Sequence, residues 1–151
     1  MIPGASDSVN TADKEYRNVV CGEPGKIGRG QLVRLAYASD LSSGAADGVT
    51  VMLTSSPSHV VYGVAVESAA QYQNLRVQVG GLCDRVNTDG DVTEGDLLQP
   101  CYLPGVATAA IPIRLRDLGF VYSSSHNVFG VALDNDSSAT LSAAWLTGPG
   151  F

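Results

Sequence analysis

The sequence predicts an all-β fold, one small β-barrel or jelly-roll-like β-sandwich, and three observations carry that reading. Apolar residues recur every second position: Tyr62, Val64 and Val66 fall on one side of an extended chain, with Gly63, Ala65 and Glu67 on the other. Leu75, Val77 and Val79 alternate with Arg76, Gln78 and Gly80 in the same way. Alternation of this kind marks half-buried strands. Turn chemistry separates such stretches, at Asp89-Gly90, Gly95-Asp96 and Leu103-Pro-Gly-Val106, where glycine accepts positive φ without steric cost. Finally, Tyr62-Gly-Val-Ala-Val-Glu67 returns 67 residues later as Phe129-Gly-Val-Ala-Leu-Asp134. The expectation is two related β units enclosing one core.

In chain order, residues 1–30 hold no sustained two-residue or helical period and read as an N-terminal arm, leaving 31–151 as the β domain. Tyr16, Val19 and Val20 are apolar anchors that a freely disordered tail would not need, so the arm is expected to order on a partner. Strands follow from Gln31 to Tyr37 and from Val49 to Thr54, then the Tyr62 and Asn74 stretches. Leu97-Leu98 follows Gly95-Asp96, and Ile111, Ile113 and Leu115 alternate around Pro112, which donates no ladder hydrogen bond and suits an edge. The second aromatic-glycine motif and Thr140-Leu-Ser-Ala-Ala-Trp145 complete the chain. Gly63 and Gly130, each beside an aromatic within a strand, are expected to be structural glycines at a close backbone approach.

The 151 residues suit one domain with a real core. Charged residues are 16% of the chain, against about 25% in ordinary soluble domains, which fits equally a surface partly covered by neighbouring subunits and a plain small-residue β protein. A net charge of −6 with no basic run argues against nucleic acid as partner. No apolar run is long enough to span a bilayer, and the start lacks a leader pattern, so cytoplasmic synthesis and no membrane partner are expected. The three cysteines, Cys21, Cys83 and Cys101, have no zinc-site spacing and read as free thiols.

No catalytic residues, metal ligands or cofactors are assigned. Asn87-Thr-Asp89-Gly-Asp91-Val-Thr-Glu94-Gly-Asp96 gathers oxygens that calcium could use, but its glycine stands fourth where an EF-hand loop has it sixth, and a hairpin turn is the simpler reading. His59 and His126 lie in serine-rich loops without a Gly-x-Ser-x-Gly elbow. Gly25-Lys-Ile-Gly28-Arg-Gly30 matches no phosphate-binding spacing.

The ordered set Gly30-Gln-Leu-Val-Arg-Leu35, Tyr62-Gly-Val-Ala-Val-Glu67, Leu75-Arg-Val-Gln-Val-Gly-Gly81, Val92-Thr-Glu-Gly-Asp-Leu-Leu98 and Phe129-Gly-Val-Ala-Leu-Asp134 resembles the capsid decoration, or cement, proteins of tailed bacteriophages. The resemblance spans about residues 28–146, with Gly30-Gln31 where the family pattern has Gly-Asp. It implies a non-enzymatic virion structural protein, a homotrimer on the capsid exterior that binds the major capsid protein and staples its subunits together. The arm lies outside the resemblance, and its apolar residues Tyr16, Val19 and Val20 are expected to be the capsid-anchoring residues of such a protein. The competing expectation is a carbohydrate- or receptor-binding β module using Tyr37, Tyr72 and Tyr122, although Tyr37 and Tyr62 fall in phase with the apolar faces of their strands.

Overall fold

The computed structural model describes residues 14–41, 49–110, 112–115, 119–122 and 127–147, the two segments 112–115 and 119–122 by backbone alone. The fold is all-β. Its strands are β1 Glu15–Cys21, β2 Lys26–Ile27, β3 Leu32–Leu35, β4 Thr50–Leu53, β5 Gly63–Ala65, β6 Ala69–Ala70 and β7 Asn74–Cys83. They continue as β8 Val86–Asn87, β9 Leu97–Pro100, β10 Ala107–Ala109, β11 Pro112–Leu115, β12 Gly119–Tyr122, β13 Gly130–Ala132, β14 Thr140–Leu141 and β15 Ala144–Leu146. A 3-10 turn, Ala38–Asp40, follows β3.

Pairing closes these strands into two rings. In the first, β1 runs parallel to β4, β4 pairs antiparallel with β3, β3 with β5, β5 with β7, and β7 returns to β1 from Gly80 opposite Glu15 to Asn74 opposite Val20. In the second, the end of β7 pairs with β15, β15 with β13, β13 with β9 and β9 with β10. Thr88, just after β8, bridges in parallel to Ala107 and closes that ring, while β8 itself pairs with β14. The ten residues of β7 therefore belong to both barrels. Full closure removes the exposed ladder edges that an open sheet would carry.

The two rings repeat one another bond by bond. Gly30 donates to Ala65 O at 2.8 Å, and Gly95 donates to Ala132 O at 2.8 Å. Ala65 donates to Gln31 O as Ala132 does to Asp96 O, and Tyr62 to Val33 O as Phe129 does to Leu98 O. Gly22 donates to Val51 O, and Asp89 to Ala107 O. Gln31 accepts from Gly28 N through its side-chain oxygen at 2.7 Å, as Asp96 does from Thr93 N at 2.9 Å. Gln31 thus does the work of Asp96, and Gly30 and Gly95 share a positive φ of 90° and 91°.

Each barrel has its own interior. Val19, Cys21, Ile27, Val33, Val51, Ala65, Leu75, Val77 and Val79 fill the first. Cys83, Val86, Val92, Leu98, Ala107, Phe129, Ala132, Leu141, Ala144 and Leu146 fill the second, joined by Leu32, Val61 and Val64 from the outside of the first. The single core expected from the repeat is thus two abutting cores.

The stretch from Glu15 departs from the expected arm. β1 is a full member of the first ring, and Val19 and Val20 are buried within this chain, so an arm ending at residue 30 is corrected for residues 15–30. Residues 1–13 lie outside the described residues. β11 and β12 pair as a separate two-stranded sheet between β10 and β13.

Gly63 and Gly130 hold the same place in the two rings. A Cβ on Gly63 would stand 2.6 Å from Gln78 O, and one on Gly130 would stand 2.5 Å from Trp145 O, both backbone atoms opposite in the ladder. Neither oxygen can yield without breaking strand pairing. Gly63→Ala and Gly130→Ala should each lower stability by about 1–3 kcal/mol through overpacking. Gly25→Ala, where a Cβ meets nothing within 4 Å, should stay within about 0.5 kcal/mol of the parent. Urea denaturation of the three variants checks this; equal stability of all three would remove the close-approach account.

Candidate functional site

The oxygen-rich loop 87–96 is held together by its own hydrogen bonds. Asp89 accepts from Asp91 N at 3.1 Å and from Thr108 Oγ1 at 2.6 Å. Asp136 Oδ2 accepts from Thr88 Oγ1 at 2.7 Å and Val92 N at 3.1 Å, and Asp96 Oδ2 from Thr93 N and Oγ1. These carboxylates satisfy loop N–H and hydroxyl groups, the ordinary use of aspartate at turns. Among the described residues, no group of three or more His, Cys, Asp or Glu side chains could hold a metal ion. The three thiols are unpaired, and burial raises the pKa of each above that of an ordinary cysteine.

The expected anchors separate. Val19 lies in the first core and Val20 is buried beside it, so neither presents its side chain at the surface of this chain. Only Tyr16 is exposed, its ring lying under the Arg76 guanidinium at 5.4 Å. Among the tyrosines, Tyr37 is half exposed because β3 ends at Leu35 and releases the chain from strand phase, whereas Tyr62 packs against the first core. Tyr72 is exposed at a positive φ of 69°. The side chains of Tyr122 and His126 lie outside the described residues.

The surface that the sequence did not single out is a row across the second barrel. Leu97 lies opposite Val131, Val131 opposite Trp145, and Trp145 opposite Leu82. Their neighbours Leu98, Ala132 and Ala144 point inward, so the row faces outward. Trp145 is 41% exposed, Leu82 is exposed, and Leu97 and Val131 are partly covered. The same row in the first barrel is Leu32, Val64 and Gln78, also opposite one another. There it is buried, Gln78 to 2%, because the second barrel lies on it. Gly105, in the β9–β10 connection, accepts from Leu32 N at 2.8 Å and donates to Thr54 O at 2.7 Å. Asn87 N donates to Gly30 O and Asn127 Nδ2 to Pro57 O across the same junction.

No protein-family model and no curated protein matches the chain. A solved structure does. The N base of head fiber gp8.5 of bacteriophage phi29 is similar to it with a TM-score of 0.60 at 13% identity, over 89% of this chain and 98% of that one. At this identity the likeness establishes a shared fold across nearly the whole of both chains.

One charged cluster stands near the β3–β4 connection. Buried Arg34 donates to Asp40 Oδ2 at 2.8 Å and to Leu35 O at 3.1 Å, and its guanidinium lies 4.3 Å from the Tyr37 ring centre. Tyr37 also meets the edge of the His59 ring, whose Nδ1 accepts from Ser55 N. Burial, then the Arg34 charge, lowers the His59 pKa. The Arg34 hydrogen bond, then that of Tyr37 N–H, holds Asp40 below the usual carboxylate range. A depressed folded-state pKa adds stability above the unfolded pKa of about 3.9, which is lost as pH falls through the folded value. Asp40→Asn should therefore cost about 1–3 kcal/mol at neutral pH, mainly by leaving Arg34 without its partner. The gap between parent and variant should narrow below pH about 4. Urea midpoints measured against pH check it, and a gap constant down to strong acid would refute the pairing.

Proposed function

We propose that the chain is a virion structural protein of a tailed-bacteriophage head: a decoration or cement protein that assembles as a homotrimer on the capsid exterior and binds the major capsid protein. The observation that carries the reading is the fold shared almost end to end with a head fiber base. The residues agree with a mechanical role. Two closed barrels fused through one strand form a stiff body, and the polar side chains described are engaged in holding loops rather than converging on a reacting centre. Such a protein acts through shape and buried contacts, with many weak sites made firm by repetition on the lattice. Localisation on the head follows from this reading, after synthesis in the host cytoplasm.

A second reading has a specific observation behind it. Tyr37, half exposed beside His59 and stacked with Arg34, offers an aromatic face with adjacent polar groups, the equipment of a carbohydrate- or receptor-binding module. The two are separated by cosedimentation of the purified chain with undecorated heads. The capsid reading expects saturable binding and heads that survive higher urea; absence of head binding combined with glycan-array signals abolished by Tyr37→Ala would replace it with the second.

A further inference from the structure

We propose that the outer face of the second barrel, centred on Trp145, is where copies of this chain meet, the acidic end of the face on one copy lying against the basic end on the next. This rests on the proposed homotrimer and names the surface that forms it.

The face is wider than one row. Val131, Trp145 and Leu82 turn outward because Ala132, Ala144 and Cys83 beside them belong to the second core. Leu133 donates to Ala143 O at 3.0 Å, which carries the ladder, and with it the outward phase, one step beyond the β13–β15 pairing. Leu97, Val131, Trp145 and Leu82 thus stand side by side, with Leu133 and Ala143 along the next row. Leu133 is 46%, Trp145 41% and Leu82 36% exposed. Scattered exposed side chains need no explanation, but apolar ones gathered on one sheet face around an aromatic ring have the composition of an interface core.

Charge at the two ends of the face selects the occupant. At the β9–β13 end, Asp96 precedes Leu97 and Asp134 follows Leu133. Glu94 N donates to Asn135 Oδ1 at 2.8 Å, which brings the exposed Glu94 to the same corner. Segments 86–110 and 127–147 of this barrel contain no lysine or arginine. At the β7 end, Arg29 pairs with Asp84 at 3.5 Å, Arg85 follows Asp84, and Lys14 stands before Glu15, which lies opposite Gly80. Four strands hold the ends about 14 Å apart, beyond the screening length of about 8 Å in physiological salt, so each end acts on its own neighbour. A partner of one sign would be drawn to one end and repelled at the other. A second copy supplies the same apolar face and both signs. Contact of unlike ends in succession is heterologous and closes into a ring when the rotation allows; three copies facing a common axis put every acidic end on a basic one. The apolar centre supplies the affinity, while the exposed charges fix the order of the ends.

The test compares the full chain with Trp145→Glu, Glu94→Lys, Arg85→Glu and the double variant carrying both Glu94→Lys and Arg85→Glu. All these side chains are exposed, so folding, monitored by circular dichroism, should be retained. Sedimentation velocity should give a trimer for the parent and a monomer for Trp145→Glu, with the dissociation constant raised about thirtyfold or more. Glu94→Lys and Arg85→Glu should each associate several-fold more weakly than the parent, because unlike ends become alike. The double variant, in which the signs are exchanged, should recover the affinity that either single change removes. Trp145 is the only tryptophan, so its emission should shift to shorter wavelength as the parent is concentrated, a readout that stands even if Trp145→Glu fails to fold. A trimeric Trp145→Glu protein, or a parent that assembles without a change in emission, overturns this face while leaving the homotrimer intact. A double variant weaker than both single variants overturns the pairing of the ends. A parent that is monomeric or dimeric at all concentrations overturns the face and the homotrimer together.

Discussion

Strand β7 is the backbone on which both barrels depend. From Asn74 to Gly80 it pairs with β1, at Val77 and Gln78 it also pairs with β5, and from Gly81 to Cys83 it pairs with β15. Where it leaves one ring for the other, the buried side chain of Gln78 donates to Gly80 O at 3.0 Å and to Leu82 O at 2.8 Å. Buried carbonyls without partners are costly, so a single amide at the junction lets the strand change partners without orphaning its own groups. Neither ring can be opened along this strand without disturbing the other.

The small-residue composition follows from the same architecture. Two narrow barrels laid against each other require backbone to approach backbone, at Gly63 and Gly130 within each ring and at Gly105 between them, where a Cβ would meet Gln31 Cβ at 2.8 Å. Low charge density has a related cause: faces that would be solvent-exposed on one barrel alone are turned inward by the next. The acidic residues that remain act mainly as turn anchors, as Asp96 and Asp136 show.

The legible parts of the fold were those with a two-residue rhythm. β3, β4, β5 and β13 sit within the expected stretches, and β7 and β9 start where expected and run one or two residues further, because one side of each strand faces a core. β1 was hidden because its first four residues are all exposed and its last three all buried, which leaves no alternation to read. β2, β6 and β8, at two residues each, are too short to show any period, and the single stretch read at Thr140–Trp145 divides into β14 and β15. The 67-residue recurrence revealed the duplication, but one core or two depends on ring closure, and that requires pairing between distant strands. The outer row was illegible for the same reason: Leu97, Val131 and Trp145 become neighbours only through register.

The order of closure along the chain has a consequence for how the protein forms. Every strand of the first ring lies within residues 15–83, so on a ribosome this ring can close while the remainder is still being made. During that interval Leu32 and Val64 face water, awaiting a second barrel not yet synthesised. Any completed second barrel that is not already docked, including one from a neighbouring nascent chain, fits that surface as well as the chain's own does. Crowded synthesis therefore opens a competing route to exchanged barrels, and the unbroken run of β7, which keeps the correct partner at high effective concentration, biases the outcome toward the chain's own second half.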